Sequence, residues 1–182
     1  MASQDHLADH PTQANPYTAA DIIAILRENR WLISDPTPEQ IAWSDRAAQL
    51  LGHYAEDRAA LANLLRPVFQ YDAAGILQSP DAQAAISRYA ARDVIRRLAL
   101  LLLEPSPFTS ERFKEVATYL KESCGVRSRD LFHPIRLSLT GRIGEGELDR
   151  VILLLDEAAA LPFATPVKSV RTRILEFCST LD

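Results

Sequence analysis

Arginine side chains that could bind phosphate are concentrated in the middle of the chain. Residues 88–142 carry 11 basic and 6 acidic side chains, whereas the whole chain of 182 residues has a net charge of −4. Clustered arginines attract a polyanion such as RNA because binding releases the counterions that surround its phosphates. The same residues could instead be a set of solvated helix faces, and the charge pattern alone leaves both interpretations open.

The candidates for RNA contact within this basic segment are Arg88, Arg92, Arg96, Arg127, Arg129, His133 and Arg136. The first three are spaced at i, i+4 and i+8, which places them on one face of a helix. Arg127 and Arg129 stand in a predicted turn and are the better candidates for phosphate contact. Arg136 falls within an apolar helix, where pairing with an acidic side chain or a helix C-terminus is favoured over contact with RNA. His133 could stack on an unpaired base, whereas Phe132 is expected in the core.

Patterns typical of catalysis or metal binding are missing from the sequence. It contains no glycine-rich phosphate loop, nucleophile elbow, Cys-x-x-Cys or His-Glu-x-x-His pattern. His6 and His10 have an i, i+4 spacing but fall in a predicted unfolded tail, so no metal site is expected. Glu145 and Glu147 flank a glycine without an identifiable acid–base partner. The prediction is a non-enzyme that needs no cofactor.

The composition is that of a soluble helical protein. Apolar residues make up 47% and charged residues 24% of the chain, and 6 glycines are too few for a turn-rich β architecture. Cys124 and Cys178 are expected to be free thiols in a reducing compartment. The longest apolar run, 98–103, is far too short to cross a bilayer, and the N-terminus lacks the features of a secretion signal. We therefore expect a cytoplasmic protein without a membrane partner.

Three Thr-Pro or Ser-Pro steps predict helix starts, at Thr37, Ser79 and Thr165. Gln40 adds a capping box to the first of these, whose helical pattern is expected to break near 52–57 and to end at Pro67. The helix that begins after Ser79 is predicted to be the longest. It would run through residue 103, with the three spaced arginines on its first half and a fully buried second half.

Further caps complete a prediction of about seven to nine helices and no strand. Thr18 is expected to cap a helix that runs to about Arg30. Thr109 is expected to cap another, which Gly125 ends in the left-handed conformation. The predicted fold class is all-α, a helical bundle or cage.

The run LFHPIRLSLTG, from Leu131 to Gly141, is ambiguous on physical grounds. Pro134 suits the first turn of a short helix, and Gly141 suits its end. Alternation of Ile135, Leu137 and a further leucine would equally suit a strand.

Residues 126–141, VRSRDLFHPIRLSLTG, resemble the C-terminal anticodon-binding domain, or helical cage, of bacterial glutamyl-tRNA synthetases of class I. That family shows a Leu-Phe or Leu-Tyr pair, Pro-Leu-Arg and Leu-Thr-Gly in this order, and a looser likeness spans about 58–161. After Gly141 the chain departs from the family, with RIGEGE in place of a Ser-Gly-Pro loop. The His-x-Gly-His and Lys-x-Ser-Lys signatures of the catalytic half are missing.

The resemblance implies a helix for the ambiguous run and a particular organisation of the chain. Residues 58–182 would be a domain like the anticodon-binding domain. Outside the resemblance, the polar residues 1–16 are expected to be a disordered tail and 17–57 a helical extension. The implied function is a non-catalytic module that binds tRNA or another structured RNA.

The alternative is a protein-interaction or regulatory scaffold that kept the helical fold and lost RNA binding, because fold alone does not fix function. Convergence of the candidate arginines on one surface would favour RNA binding. Pairing of these arginines with Asp93, Glu111, Glu115 or Glu122 would favour the scaffold. The sequence leaves this choice and the oligomeric state open.

Overall fold

The structure, a computed structural model, describes residues 15–143 and 147–182, and all regular elements among them are helical. The ten α-helices are α1 (Ala19–Glu28), α2 (Pro38–Leu51), α3 (Arg58–Phe69), α4 (Ala73–Leu77), α5 (Pro80–Ile86), α6 (Ala91–Leu101), α7 (Ser110–Cys124), α8 (Arg129–Thr140), α9 (Leu148–Ala159) and α10 (Val170–Leu181), with a 3₁₀ helix at Gly52–Tyr54. The predicted all-α class is confirmed. The described helices outnumber the seven to nine expected because one predicted helix is divided and the short α4 was not foreseen.

Most predicted caps form as the local chemistry requires. The Thr37 hydroxyl accepts a hydrogen bond from the Gln40 N–H at 3.2 Å, and the Gln40 side chain accepts one from the Thr37 N–H at 2.9 Å. Thr109 caps α7 by accepting from the Arg112 N–H, and Gly125 closes that helix with φ +65°. These bonds satisfy backbone groups that a helix end leaves without a partner.

The predicted long helix from Ser79 through residue 103 is wrong. The chain leaves the helical conformation after Ile86, and Ala90 takes φ +59° immediately before α6. The last turn of α5 still closes normally, because the N–H and the hydroxyl of Ser87 both donate to the Gln83 carbonyl, at 3.1 and 2.7 Å. The break lets α5 and α6 each pack against α8.

Two other helix boundaries also differ from the prediction. The last helix begins at Val170 rather than after Thr165, because Ser169 provides the cap by accepting from the Thr172 N–H. Pro67 lies inside α3 instead of ending it. A proline has no N–H for the carbonyl four residues before it. Here that carbonyl, of Asn63, accepts from the Arg142 guanidinium at 2.8 Å instead.

An aromatic cluster joins the first helices to the rest of the core. The Trp31 and Phe69 rings stack at 4.6 Å, and Trp43 meets Phe163 edge-on at 5.3 Å. The Trp43 indole N–H also donates to the Leu154 carbonyl at 2.9 Å. Residues from 17–57 and 58–182 therefore share one hydrophobic core. Residues 1–14 of the predicted tail, including both tail histidines, lie outside the described residues, as does Glu145.

The fully buried Arg173 connects three helices. Its guanidinium donates to four backbone carbonyls at 2.7–3.1 Å: those of Pro67, Val68, Leu139 and Lys168. Two of these acceptors lie in the last turn of α3 and one in the last turn of α8. Carbonyls at a helix C-terminus carry partial negative charge, so they can stabilise a buried cation that has no ion-pair partner.

Tyr71 completes this arrangement. Its ring lies 4.8 Å from the Arg173 guanidinium carbon, and its hydroxyl donates to the carbonyls of Ser138 and Arg173. Burial lowers the pKa of Arg173 to about 10, so the side chain is still charged at neutral pH. The contacts of this pair fix the ends of α3 and α8 against α10.

Among the described residues, no helix is long and apolar enough to cross a membrane. The two cysteines, Cys124 and Cys178, are both free thiols and partly buried.

Candidate nucleic-acid interface

The ambiguous run LFHPIRLSLTG forms most of α8, and the helix implied by the resemblance is confirmed. Its alternating residues Ile135, Leu137 and Leu139 are all buried, although they point to different sides of a helix. The reason is that α8 is contacted by α5, α6, α7 and α10. Pro134 lies in the middle of α8, not in its first turn, because the helix already begins at Arg129.

The Thr140-Gly141 pair ends α8. Gly141 has φ +77°, and its N–H donates to the Leu137 carbonyl at 2.8 Å. The Thr140 hydroxyl bonds to the carbonyls of Arg136 and Arg142. This terminus directs the chain so that Arg142 reaches α3.

Replacing Gly141 with alanine should lower the free energy of unfolding by about 1–3 kcal/mol, because an L side chain is strained at positive φ. A Cβ here would also lie 2.8 Å from Ile76 Cδ1, whereas one at Gly125 would meet nothing within 4 Å. Gly125→Ala is therefore the matched control, because it places an alanine at positive φ without a steric contact. Urea unfolding should show the larger loss for Gly141→Ala, and equal losses would mean that the contact with Ile76 costs nothing.

An open cleft of about 550 Å³ lies between α5 and α8. We call it the α5–α8 groove. Its polar lining comes from Arg88, His133 and Arg142, with Asp81 and Ser79 at the α5 side. Two arginines, Arg88 and Arg142, give the groove the positive charge that a phosphate site requires.

Three candidate arginines surround His133. Burial lowers the pKa of this histidine, and the neighbouring Arg129, Arg88 and Arg136 lower it further, while Asp130 opposes them. The imidazole is therefore held neutral at physiological pH, a form that can stack on a base without carrying charge. The structure brings together four of the residues that the sequence indicated.

Arg88 is only partly available because its guanidinium forms an ion pair with Asp130 at 2.9 Å. Both side chains are about half exposed, so the pair contributes little to stability and can exchange partners.

Arg92 and Arg96 lie on α6 and contact the end of α10. Arg96 pairs with the Asp182 side chain at 2.8 Å, and Arg92 donates to the Leu181 carbonyl at 3.4 Å. The hydrogen bond to Asp182 raises the pKa of Arg96. With Arg88, they border a shallow depression of about 350 Å³. The three arginines thus converge on one surface, although not on one helix as predicted.

Arg127 and Arg129 are exposed and form no hydrogen bond or ion pair with the described part of the chain. Both are open to solvent as expected, although Arg129 is the first residue of α8 and only Arg127 lies in the turn before it. Arg136 is half-buried and lines a small cleft between α3, α8 and α9. Phe132 is 39% exposed, so the expectation that it lies in the core is wrong.

Arg142 is a groove residue that the sequence did not indicate. Its guanidinium is engaged with the Asn63 carbonyl, and burial lowers its pKa. In the sequence, Arg142 is distinguished only by its position directly after the glycine that ends α8. That position does not indicate that its hydrogen-bond partner, Asn63, is 79 residues away.

The ion pairs of the candidate arginines do not by themselves favour RNA binding or a protein-interaction scaffold. Within 15–143 and 147–182, none of Arg88, Arg92, Arg96, Arg127 and Arg129 forms an ion pair with Asp93, Glu111, Glu115 or Glu122, yet Arg88 and Arg96 have other acidic partners. These same ranges contain no group of three residues suited to hold a metal ion.

Over part of its length the chain is homologous to glutamate–tRNA ligases. A stretch of 75 residues is 37% identical to glutamate–tRNA ligase 2 of Syntrophus aciditrophicus (strain SB), covering 41% of this chain and 15% of that protein. A stretch of 141 residues is 30% identical to the glutamate–tRNA ligase of Desulforudis audaxviator (strain MP104C), covering 75% of this chain and 27% of that protein. The chain thus spans less than a third of the length of these relatives. No family model matches it.

Proposed function

We propose that the chain is a non-catalytic module that binds tRNA, or an RNA of similar structure. Binding would use the α5–α8 groove together with the exposed arginines Arg127 and Arg129. The observation that carries the proposal is the position of His133, which lies on α8 among Arg88, Arg129 and Arg136. The partial homology to glutamate–tRNA ligases makes tRNA the first RNA to test. A domain like the anticodon-binding domain of glutamyl-tRNA synthetases, acting in the cytoplasm, is the specific form of this proposal.

The arginines and His133 would contribute to RNA binding in different ways. Arg127 and Arg129 are exposed and form no ion pair with residues 15–143 or 147–182, so no ion pair in this part of the chain must break before they approach phosphates. Phosphate contacts of this kind supply affinity and position the RNA. The neutral His133 at the groove offers a flat surface for an unpaired base, which adds selectivity for RNA with open loops.

Replacing Arg127 and Arg129 together with alanine should weaken tRNA binding by about tenfold at moderate salt. The slope of log affinity against log salt should fall by about two phosphate contacts. Fluorescence anisotropy with labelled total tRNA, at several salt concentrations, measures both quantities.

The matched control replaces two other exposed arginines, Arg27 of α1 and Arg58 of α3, which form ion pairs with Asp35 and Glu28, respectively. This double variant changes the net charge equally and should bind tRNA nearly as well as the unmodified protein. If both double variants lose the same affinity, binding depends on overall charge and the proposed surface is wrong. An unrelated hairpin that binds as tightly as tRNA would contradict the choice of ligand.

A second candidate function is a protein-interaction scaffold. The observation in its favour is that Arg88 and Arg96 are already paired with Asp130 and Asp182, which lowers the positive charge of the surface. Absence of tRNA binding at low salt would support this alternative.

A further inference from the structure

A group of large apolar side chains is exposed where α6 meets α7. Leu100 is 65% exposed, Leu103 is 47% exposed and Tyr119 is 49% exposed. Arg97, Leu101, Leu100 and Tyr119 line one depression of about 370 Å³. We call Arg97, Leu100, Leu101, Leu103 and Tyr119 together the α6–α7 patch. It shares no lining residue with the α5–α8 groove.

The leucines of this patch were predicted to be buried in the hydrophobic core, but part of the run is exposed. The sequence LALLLL at 98–103 predicts a helix that is buried all round, but only Leu98, Ala99 and Leu102 are buried. That prediction is wrong for Leu100 and Leu103, which are exposed, and Leu100 lines the same depression as Tyr119. Single exposed leucines are ordinary, whereas apolar residues that cluster around a depression mark a surface for another molecule.

Charges at the edges of the patch have opposite signs. Arg97 lies on the α6 side, one helical turn before Leu100 and Leu101. Glu115 and Glu122 lie on the α7 side, at positions i−4 and i+3 from Tyr119, so they share its helix face. All three charged side chains are exposed and lack an ion-pair partner within the described ranges. The surface is thus basic along α6, apolar in the middle and acidic along α7.

Such a surface is complementary to itself. A two-fold rotation that sets α6 of one copy against α7 of another places Arg97 opposite Glu115 and Glu122 twice, and brings the apolar centres together. Opposite charges around an apolar centre fix the orientation of two partners. We propose that the α6–α7 patch binds a second copy of this chain and forms a two-fold symmetric dimer. The patch is small, so the dimer is expected to dissociate in the micromolar range.

Sedimentation velocity at protein concentrations from about 1 to about 300 μM tests the proposal, since this range brackets a micromolar dissociation constant. We expect a concentration-dependent shift from the 20.3 kDa monomer towards the dimer. Leu100→Glu should weaken the dimer at least about tenfold, because it places a charge in the apolar centre. The matched control is Ile33→Glu, at a residue that is 80% exposed on the connection between α1 and α2.

A charge exchange provides the second measurement. Arg97→Glu alone, and the double change Glu115→Arg with Glu122→Arg alone, should each weaken self-association. Mixing these two variants should restore association, because opposite charges face each other again at both edges. The substituted side chains are exposed, and circular dichroism checks that each variant is folded.

Three results would overturn the proposal. The first is a single monomeric species at every concentration. The second is a dimer that Leu100→Glu leaves unchanged while the charge variants fail to complement each other. The third is a loss of RNA affinity, without any change in self-association, when Leu100 is substituted, which would assign the patch to RNA. The first two results concern self-association alone, so they are independent of whether the α5–α8 groove binds tRNA.

Discussion

Replacing Arg173 with methionine should lower the free energy of unfolding by about 3–5 kcal/mol. Methionine keeps much of the side-chain volume but leaves the carbonyls of Pro67, Val68, Leu139 and Lys168 without their donor. Each buried acceptor that loses its only partner costs about 1–3 kcal/mol, and removing one side of a buried polar arrangement is strongly destabilising. Urea unfolding followed by circular dichroism measures the loss.

The matched control for this change is Arg171→Met, on the same helix. The Arg171 guanidinium also donates to backbone carbonyls, those of Leu102 and Leu103, but the residue is exposed. Water can replace its hydrogen bonds, so we expect a loss below about 1 kcal/mol. If both substitutions cost the same, burial of the guanidinium does not matter and the role assigned to Arg173 is wrong.

Lysine at position 173 should restore only part of the stability. An ammonium group is a point charge with three donors, whereas a planar guanidinium reaches acceptors on several sides at fixed angles. The four carbonyls belong to three separate segments, so one ammonium cannot contact all of them. Full recovery by Arg173→Lys would show that charge, and not geometry, holds the helix ends together.

Local chemistry explains why much of the fold could be predicted from the sequence. The capping box at Thr37 and Gln40 involves residues three positions apart, so the sequence contains the whole interaction. The same holds for the Thr109 cap and for Gly125 at the end of α7. When the residues that begin and end a helix interact only with sequence neighbours, the predicted helix forms.

The break between α5 and α6 could not be predicted, because its causes lie outside the local sequence. Alanine gives no signal for a left-handed conformation, yet Ala90 has φ +59°. The conformation is maintained because α5 and α6 must each pack against α8. The preference of an Ala-rich segment for a continuous helix is overridden by tertiary packing.

Prediction of the candidate site was limited by long-range partners. The spacing of Arg88, Arg92 and Arg96 identified a basic surface, but the acidic partner of Arg88 is 42 residues away and that of Arg96 is 86 residues away. Arg173 was not identified at all. In the sequence it reads as an ordinary charged residue of an amphipathic helix, and only the convergence of three helix segments shows that it is buried.

Residues 58–182, expressed alone, should fail to fold cooperatively. Removing 1–57 takes away α1 and α2, which pack against the rest of the core through Trp31 and Trp43. The rings of Phe69 and Phe163 would then face water, and the Leu154 carbonyl would lose its indole donor. Each large apolar side chain that becomes exposed costs about 1.5–3 kcal/mol, so the loss of this packing removes much of the roughly 5–15 kcal/mol by which a typical domain is stable.

The substitution Trp43→Ala in the full chain tests the same packing without a truncation. Its expected cost is about 3–5 kcal/mol, as for other buried aromatic side chains. Ile41→Ala, at a residue of the same helix that is 43% exposed, is the control and should cost far less. A fragment of residues 58–182 that unfolds cooperatively and binds tRNA would contradict this expectation. It would show that the predicted boundary at 57/58 separates an autonomous domain from an extension that merely covers it, since folding and binding would both persist without the tryptophans.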